Sequence, residues 1–144
     1  MANEQNFGNH ARTYPPFHFF VLPVLLVNAI YQLVLLKNGI SFASVLAVLV
    51  AFALLLLAFC ARVFANTVQD RVIRLEMQIR LARLLPAELR PRIDEFTVGQ
   101  LIALRFAGDD ELPALARQVL EEKLTDRKTI KSRVKHWRAD YLRC

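Results

Sequence analysis

Residues 60–85 read CARVFANTVQDRVIRLEMQIRLARLL, with no proline or glycine to stop a helix. The uncharged segment Ser41–Ala61 leads straight into this stretch, which holds five arginines. At 100° per residue, Val68, Val72, Leu75, Ile79 and Ala82 fall on one narrow stripe, and Ile73, Met77, Leu81 and Leu84 fall on a second, broadly opposite one. The arginines do not form one basic face. Arg71 and Arg74 lie on one polar seam, and Arg80 and Arg83 lie on the other. A helix with two apolar stripes has two things to pack against. The first stripe is expected to complete the core of the segment that follows. The second, Ile73, Met77, Leu81 and Leu84, is the expected partner surface. Asp70 with Arg74 and Glu76 with Arg80 are spaced as i,i+4 pairs worth only ~0.2–0.5 kcal/mol each.

Upstream, Phe17–Leu36 carries no formal charge with His18 neutral, and Ser41–Ala61 carries none. At 1.5 Å rise per residue each covers the ~30 Å hydrocarbon core of a bilayer. Lys37-Asn38-Gly39-Ile40 lies between them, and Asn-Gly is a turn signal. The two spans, about 17–36 and 41–61, should therefore form an antiparallel transmembrane hairpin. A content of 55% hydrophobic residues and a mean hydropathy of +0.30 point away from an ordinary soluble domain. A soluble bundle would need a polar face that these 40 residues lack. The first span is also longer than the ~7–15 apolar residues of a cleaved signal peptide.

Basic residues set the expected orientation. Arg12 precedes the first span and Arg62, Arg71, Arg74 and Arg80 follow the second, whereas the turn has Lys37 alone, which places both termini in the cytoplasm. Cys60 and Cys144 do not read as a structural disulfide, as fits a reducing compartment. Pro15-Pro16 marks the entry to span one, and Pro23 should free the Phe19 carbonyl and kink the helix. Asn28 and Gln32 lie one turn apart. Ala43, Ala47 and Ala51 repeat every four residues, a small-residue stripe that allows another helix to approach closely.

Past Leu85 the punctuation becomes frequent. Pro86 and Pro91 end the long helix, and Thr97-Val98-Gly99-Gln100 reads as a capping box before a helix to about Ala107. Gly108 is placed to end that helix in a left-handed conformation. Asp109-Asp110 should start the next helix, to about Leu124, and Thr125-Asp126 a last one, to about Trp137. No strand-period alternation is present. The expected fold class is all-α: a two-helix transmembrane hairpin whose second span continues into a long cytoplasmic stalk helix, followed by a small bundle of short helices. The domains divide as an N-terminal arm 1–13, the hairpin 14–65, and the stalk and helical domain 66–144. The expected core includes Leu89, Phe96, Leu101, Leu104, Phe106, Leu112, Val119, Ile130, Val134 and Trp137.

Charge is segregated. Residues 84–126 hold nine acidic and five basic side chains, and 127–144 hold seven basic and one acidic. Arg127, Lys128, Lys131, Arg133, Lys135 and Arg138 have three readings. They form a solvated face meeting the acidic middle segment, or a lipid-facing segment on anionic headgroups at ~1 kcal/mol per nearby cation, or, least favoured, a nucleic-acid contact without a recognisable binding signature. Asn9, His10, Arg12 and His18 form a polar juxtamembrane cluster of unassigned role. His10 and His18 could share a metal or polar ligand, but no third ligand completes a normal site. No glycine-rich phosphate loop or nucleophile–base spacing occurs, so neither catalytic residues nor a cofactor is assigned.

The runs Gln5-Asn6-Phe7-Gly8-Asn9-His10-Ala11-Arg12, Pro16-Phe17-His18, Arg80-Leu81-Ala82-Arg83-Leu84-Leu85-Pro86, Gln100-Leu101-Ile102-Ala103-Leu104-Arg105-Phe106-Ala107 and Trp137-Arg138-Ala139-Asp140-Tyr141-Leu142-Arg143 together resemble an uncharacterised family of small bacterial two-span membrane proteins. The resemblance spans almost the whole chain and implies the layout but no activity. The expected function is a non-enzymatic inner-membrane protein presenting a cytoplasmic helical interaction domain, as an accessory or scaffolding subunit of a larger membrane complex. Its expected partners are membrane lipid and another membrane or cytoplasmic protein, or itself as a homo-oligomer. The alternatives are a membrane-tethered regulator whose basic C-terminal segment binds anionic lipid or nucleic acid, and a metal or small-ligand site near His10 and His18.

Overall fold

A computed structural model describes Gly8 and residues 13–140, so Asn9, His10 and Arg12 of the polar cluster lie outside the described residues. The chain is all-α and divides into two compact units, one of Thr13–Asn66 and one that includes 67–140.

In the first unit a π-helical turn, Pro16–Val21, runs into α1, Leu22–Leu35. Pro23 has no N–H to give the Phe19 carbonyl. The break appears as a wider turn, in which the Leu22 N–H donates to the carbonyl of Phe17 five residues back. A short 3₁₀ turn, Leu36–Asn38, leads to Gly39 at φ 140°, a backbone conformation that favours glycine. Helix α2, Phe42–Leu84, then begins under a reciprocal serine cap. The Ser41 hydroxyl accepts from the Ser44 N–H at 3.1 Å, and the Ser44 hydroxyl accepts from the Ser41 N–H at 2.9 Å. Within this unit the buried residues are Ala29 on α1 and Ala51 on α2, both small enough for close helix approach. Ala47 is half-buried and Ala43 exposed, so the alanine repeat is covered increasingly from Ala43 to Ala51.

The second unit is built on the end of α2. Proline at 86 stops the helix, and the Arg90 guanidinium closes its end by donating to the Leu85 carbonyl at 2.9 Å. A 3₁₀ segment, Arg90–Glu95, precedes α3, Val98–Leu104, which starts on the capping box Thr97–Gln100 in both directions. Gln100 is buried, and its amide also donates to the Leu124 carbonyl at 2.8 Å. Helix α4, Leu112–Glu121, ends in a Schellman turn. There Lys123 takes φ 50° and the Leu124 N–H donates to the Val119 carbonyl at 3.1 Å. A left-handed non-glycine residue costs about 1–2 kcal/mol, so Lys123→Gly is expected to stabilise the unit by up to about 1 kcal/mol. The midpoint of thermal unfolding, followed by the emission of the chain's one tryptophan, would check this; a lower midpoint would contradict it. Helix α5, Arg127–Ser132, is capped by Asp126, whose carboxylate accepts from the Thr129 N–H at 2.8 Å.

Three expectations need correction. The apolar stripes of α2 are assigned the other way round. Ile73, Met77 and Leu81 are buried in the core with Leu85, and Leu84 packs against it, while Val68, Val72, Leu75 and Ile79 are exposed. These core-facing residues meet Leu89, Phe96, Leu101, Leu104, Leu112, Val119, Ile130 and Val134, all buried as the sequence implied. The last helix is also shorter than expected, because after Ser132 the chain extends and pairs with the end of α3. Trp137 and Ala107 form an antiparallel bridge, in which Gly108 N–H donates to His136 O at 2.8 Å and Arg138 N–H to Phe106 O at 2.7 Å. Gly108 is therefore not a left-handed helix terminator. A Cβ there would stand 3.2 Å from the His136 carbonyl, so glycine is what lets this tail approach.

Candidate functional site

Arginine 80 is the centre of the polar structure beside α2. Its guanidinium donates to the carbonyl of Arg105 at 3.1 Å and of Ala107 at 2.5 Å, and pairs with Asp109 at 2.6 Å. The two carbonyls belong to the chain just beyond α3, which leaves the helix and would otherwise lack donors. The expected Glu76–Arg80 pair is not made, because the planar fork of arginine fits two carbonyls and a carboxylate at once. Arg105, itself buried, pairs with Asp140 at 3.0 Å. Arg138 adds a longer contact to Asp109 at 3.4 Å.

These residues line a cleft of about 900 Å³ with Glu76, Ile79 and Arg83. Three of its four arginines are held in ion pairs with its own aspartates. Beside it runs the exposed stripe of α2, with Val68 60%, Val72 47%, Leu75 61% and Ile79 55% exposed.

The C-terminal cations do not act together. Arg133 pairs with Glu122 at 2.7 Å, Arg138 reaches Asp109, and the Lys131 ammonium sits 5.2 Å over the Phe106 ring. Arg127 lies over Gly99, and Lys128 and Lys135 are exposed. The first of the three readings, internal pairing with the acidic middle segment, accounts for Arg133 and Arg138. His18 bonds through Nδ1 to the carbonyl of Tyr14, just ahead of its helix, at 2.9 Å. Among the described residues no three His, Cys, Asp or Glu side chains gather as a metal site would require.

Glu111, the residue just ahead of α4, holds the tail. Its carboxylate accepts from the backbone N–H of Lys135 and of His136, both at 3.0 Å. Next to it, Asp110 accepts from the His136 ring, and this hydrogen bond holds its carboxyl below the usual carboxylate range. Glu122 is held low by Arg133, and Asp126 by the Thr129 hydroxyl and N–H. A carboxylate with a depressed folded pKa contributes stability above its unfolded pKa and loses it as pH falls through the folded one. The tail and the α5 cap should therefore loosen as pH is lowered from about 4 towards 2. Trp137, whose ring centroid is 4.9 Å from that of Phe106, reports this as a red shift of emission. An emission maximum unchanged down to pH 2 would contradict it.

The chain belongs to a family of unknown function, DUF6526, which it matches over residues 1–144. No curated protein and no solved structure matches it.

Proposed function

We propose that this member of the DUF6526 family is a non-enzymatic protein of the bacterial inner membrane, crossing it twice with both termini in the cytoplasm. Its helical domain serves as an interaction module, as an accessory or scaffolding subunit of a larger membrane complex. The observation that carries this reading is the bareness of two apolar helices. Pro16–Asn38 and Phe42–Leu84 contain windows of mean hydropathy 2.3 and 2.9, only 6% buried within the chain. A core helix of a soluble protein has its apolar side chains covered. Leaving Phe19, Phe20, Leu49, Leu56, Leu57 and Phe59 in water would forgo about 1.5–3 kcal/mol for each large side chain, and lipid removes that cost. The five arginines of residues 60–85 against Lys37 alone in the turn support the orientation.

Alkaline carbonate extraction of membranes should leave the chain in the pellet, and mass spectrometry after mild detergent extraction should find it with partners. Release by carbonate would remove the anchor, and a solitary monomer would remove the scaffolding role. The regulator reading has less support, since Arg133 and Arg138 are engaged within the domain.

A further inference from the structure

We infer that the exposed stripe of α2 is the seam of a parallel, in-register coiled coil with a second copy of this chain. This deepens the proposed function, on whose membrane anchoring part of the argument rests. Val68, Val72, Leu75, Ile79 and Ala82 are spaced alternately by four and three residues, the repeat that keeps one seam facing a partner helix. In that repeat Val72 and Ile79 occupy the a positions and Val68, Leu75 and Ala82 the d positions. The β-branched Val72 and Ile79 at a, with Leu75 at the d position between them, fit two parallel strands. The opposite side of the same helix is already committed to the core through Ile73, Met77 and Leu81, so the stripe is the face left over.

Charge selects the second copy as the occupant. Arg71 falls at a g position and Glu76 at the following e position, the two sites that meet across a parallel dimer. Both are exposed, and among the described residues neither has an ion-pair partner. In register, Arg71 of each chain faces Glu76 of the other, so a twofold axis makes the pair twice. Anchoring supplies the direction independently. Copies inserted the same way into one membrane present α2 in the same direction, and only a parallel pairing is then available.

The test uses the full chain in membranes, with Cys60→Ser and Cys144→Ser as background and single cysteines introduced by Val72→Cys, Leu75→Cys, Ile79→Cys and Arg74→Cys. Mild oxidation should give a disulfide-linked dimer at 72, 75 and 79, at least several-fold above that at 74, which is off the seam. Arg71→Glu or Glu76→Arg alone, in the Val72→Cys chain, should lower the dimer yield several-fold, and the two together should restore it. Equal yield at 74, no dimer at any position, or a dimer at 75 without 72 and 79 would overturn the parallel coiled coil. The same samples extracted with carbonate read the anchoring separately. Release from the membrane with the cross-linking pattern intact would sink the membrane reading and leave the seam standing.

Discussion

Leu81→Ala is expected to cost the helical domain about 2–5 kcal/mol, the range for emptying a fully buried leucine site, and Leu81→Asp to unfold it. Leu81 has no exposure and stands in the core with Met77 and Leu85. A charge there would have no partner, and burying one unpaired is prohibitive. A unit of this size has little stability to lose. Leu75→Ala, six residues away on the opposite face and exposed within the single chain, should change the stability of the monomeric domain by less than about 0.5 kcal/mol. Thermal unfolding of the detergent-solubilised chain, followed by Trp137 emission, compares the two directly. Similar midpoints would mean that Leu81 does not face the core.

Arg80→Ala is the second large effect, an expected loss of about 3 kcal/mol, because its bonds to the carbonyls of Arg105 and Ala107 are charge-assisted and mostly screened from water. Arg80→Lys should recover only a minor part, since an ammonium offers no planar fork to two carbonyls and a carboxylate. Arg80→Met keeps the apolar stem and separates packing from hydrogen bonding. Full recovery by lysine, in the same unfolding measurement, would show that charge alone suffices.

Much of the fold was legible because local rules decided it. The Thr97–Gln100 box, the Asp126 cap, the stop at Pro86 and the Asn38-Gly39 turn each depend on a few adjacent residues. The core leucines could be named because α4 shows one apolar face and the short α3 is apolar nearly all round. The two stripes of α2 are different. Each has the spacing and side-chain type of a core face, and nothing within α2 distinguishes them. The choice depends on residues 25–27 positions further on, the carbonyls that receive Arg80. The end of α5 was missed for a similar reason. Lys135 and His136 are acceptable helix residues, and only Glu111, 24 and 25 positions earlier, draws their amides out.

The docking of the tail also has a consequence for synthesis. Ile130, Val134 and Trp137 complete a core that begins at Ile73, so residues made well after Ile73 close the first part of the domain. At about 5–20 residues per second, Ile73, Met77 and Leu81 stay uncovered for several seconds after they are made. During that interval α2 is apolar on both sides, and a product cut short before Val134 never leaves that condition. Incomplete translation should thus be visible to chaperones and proteases as a permanently sticky helix, while the finished chain hides one of its two faces.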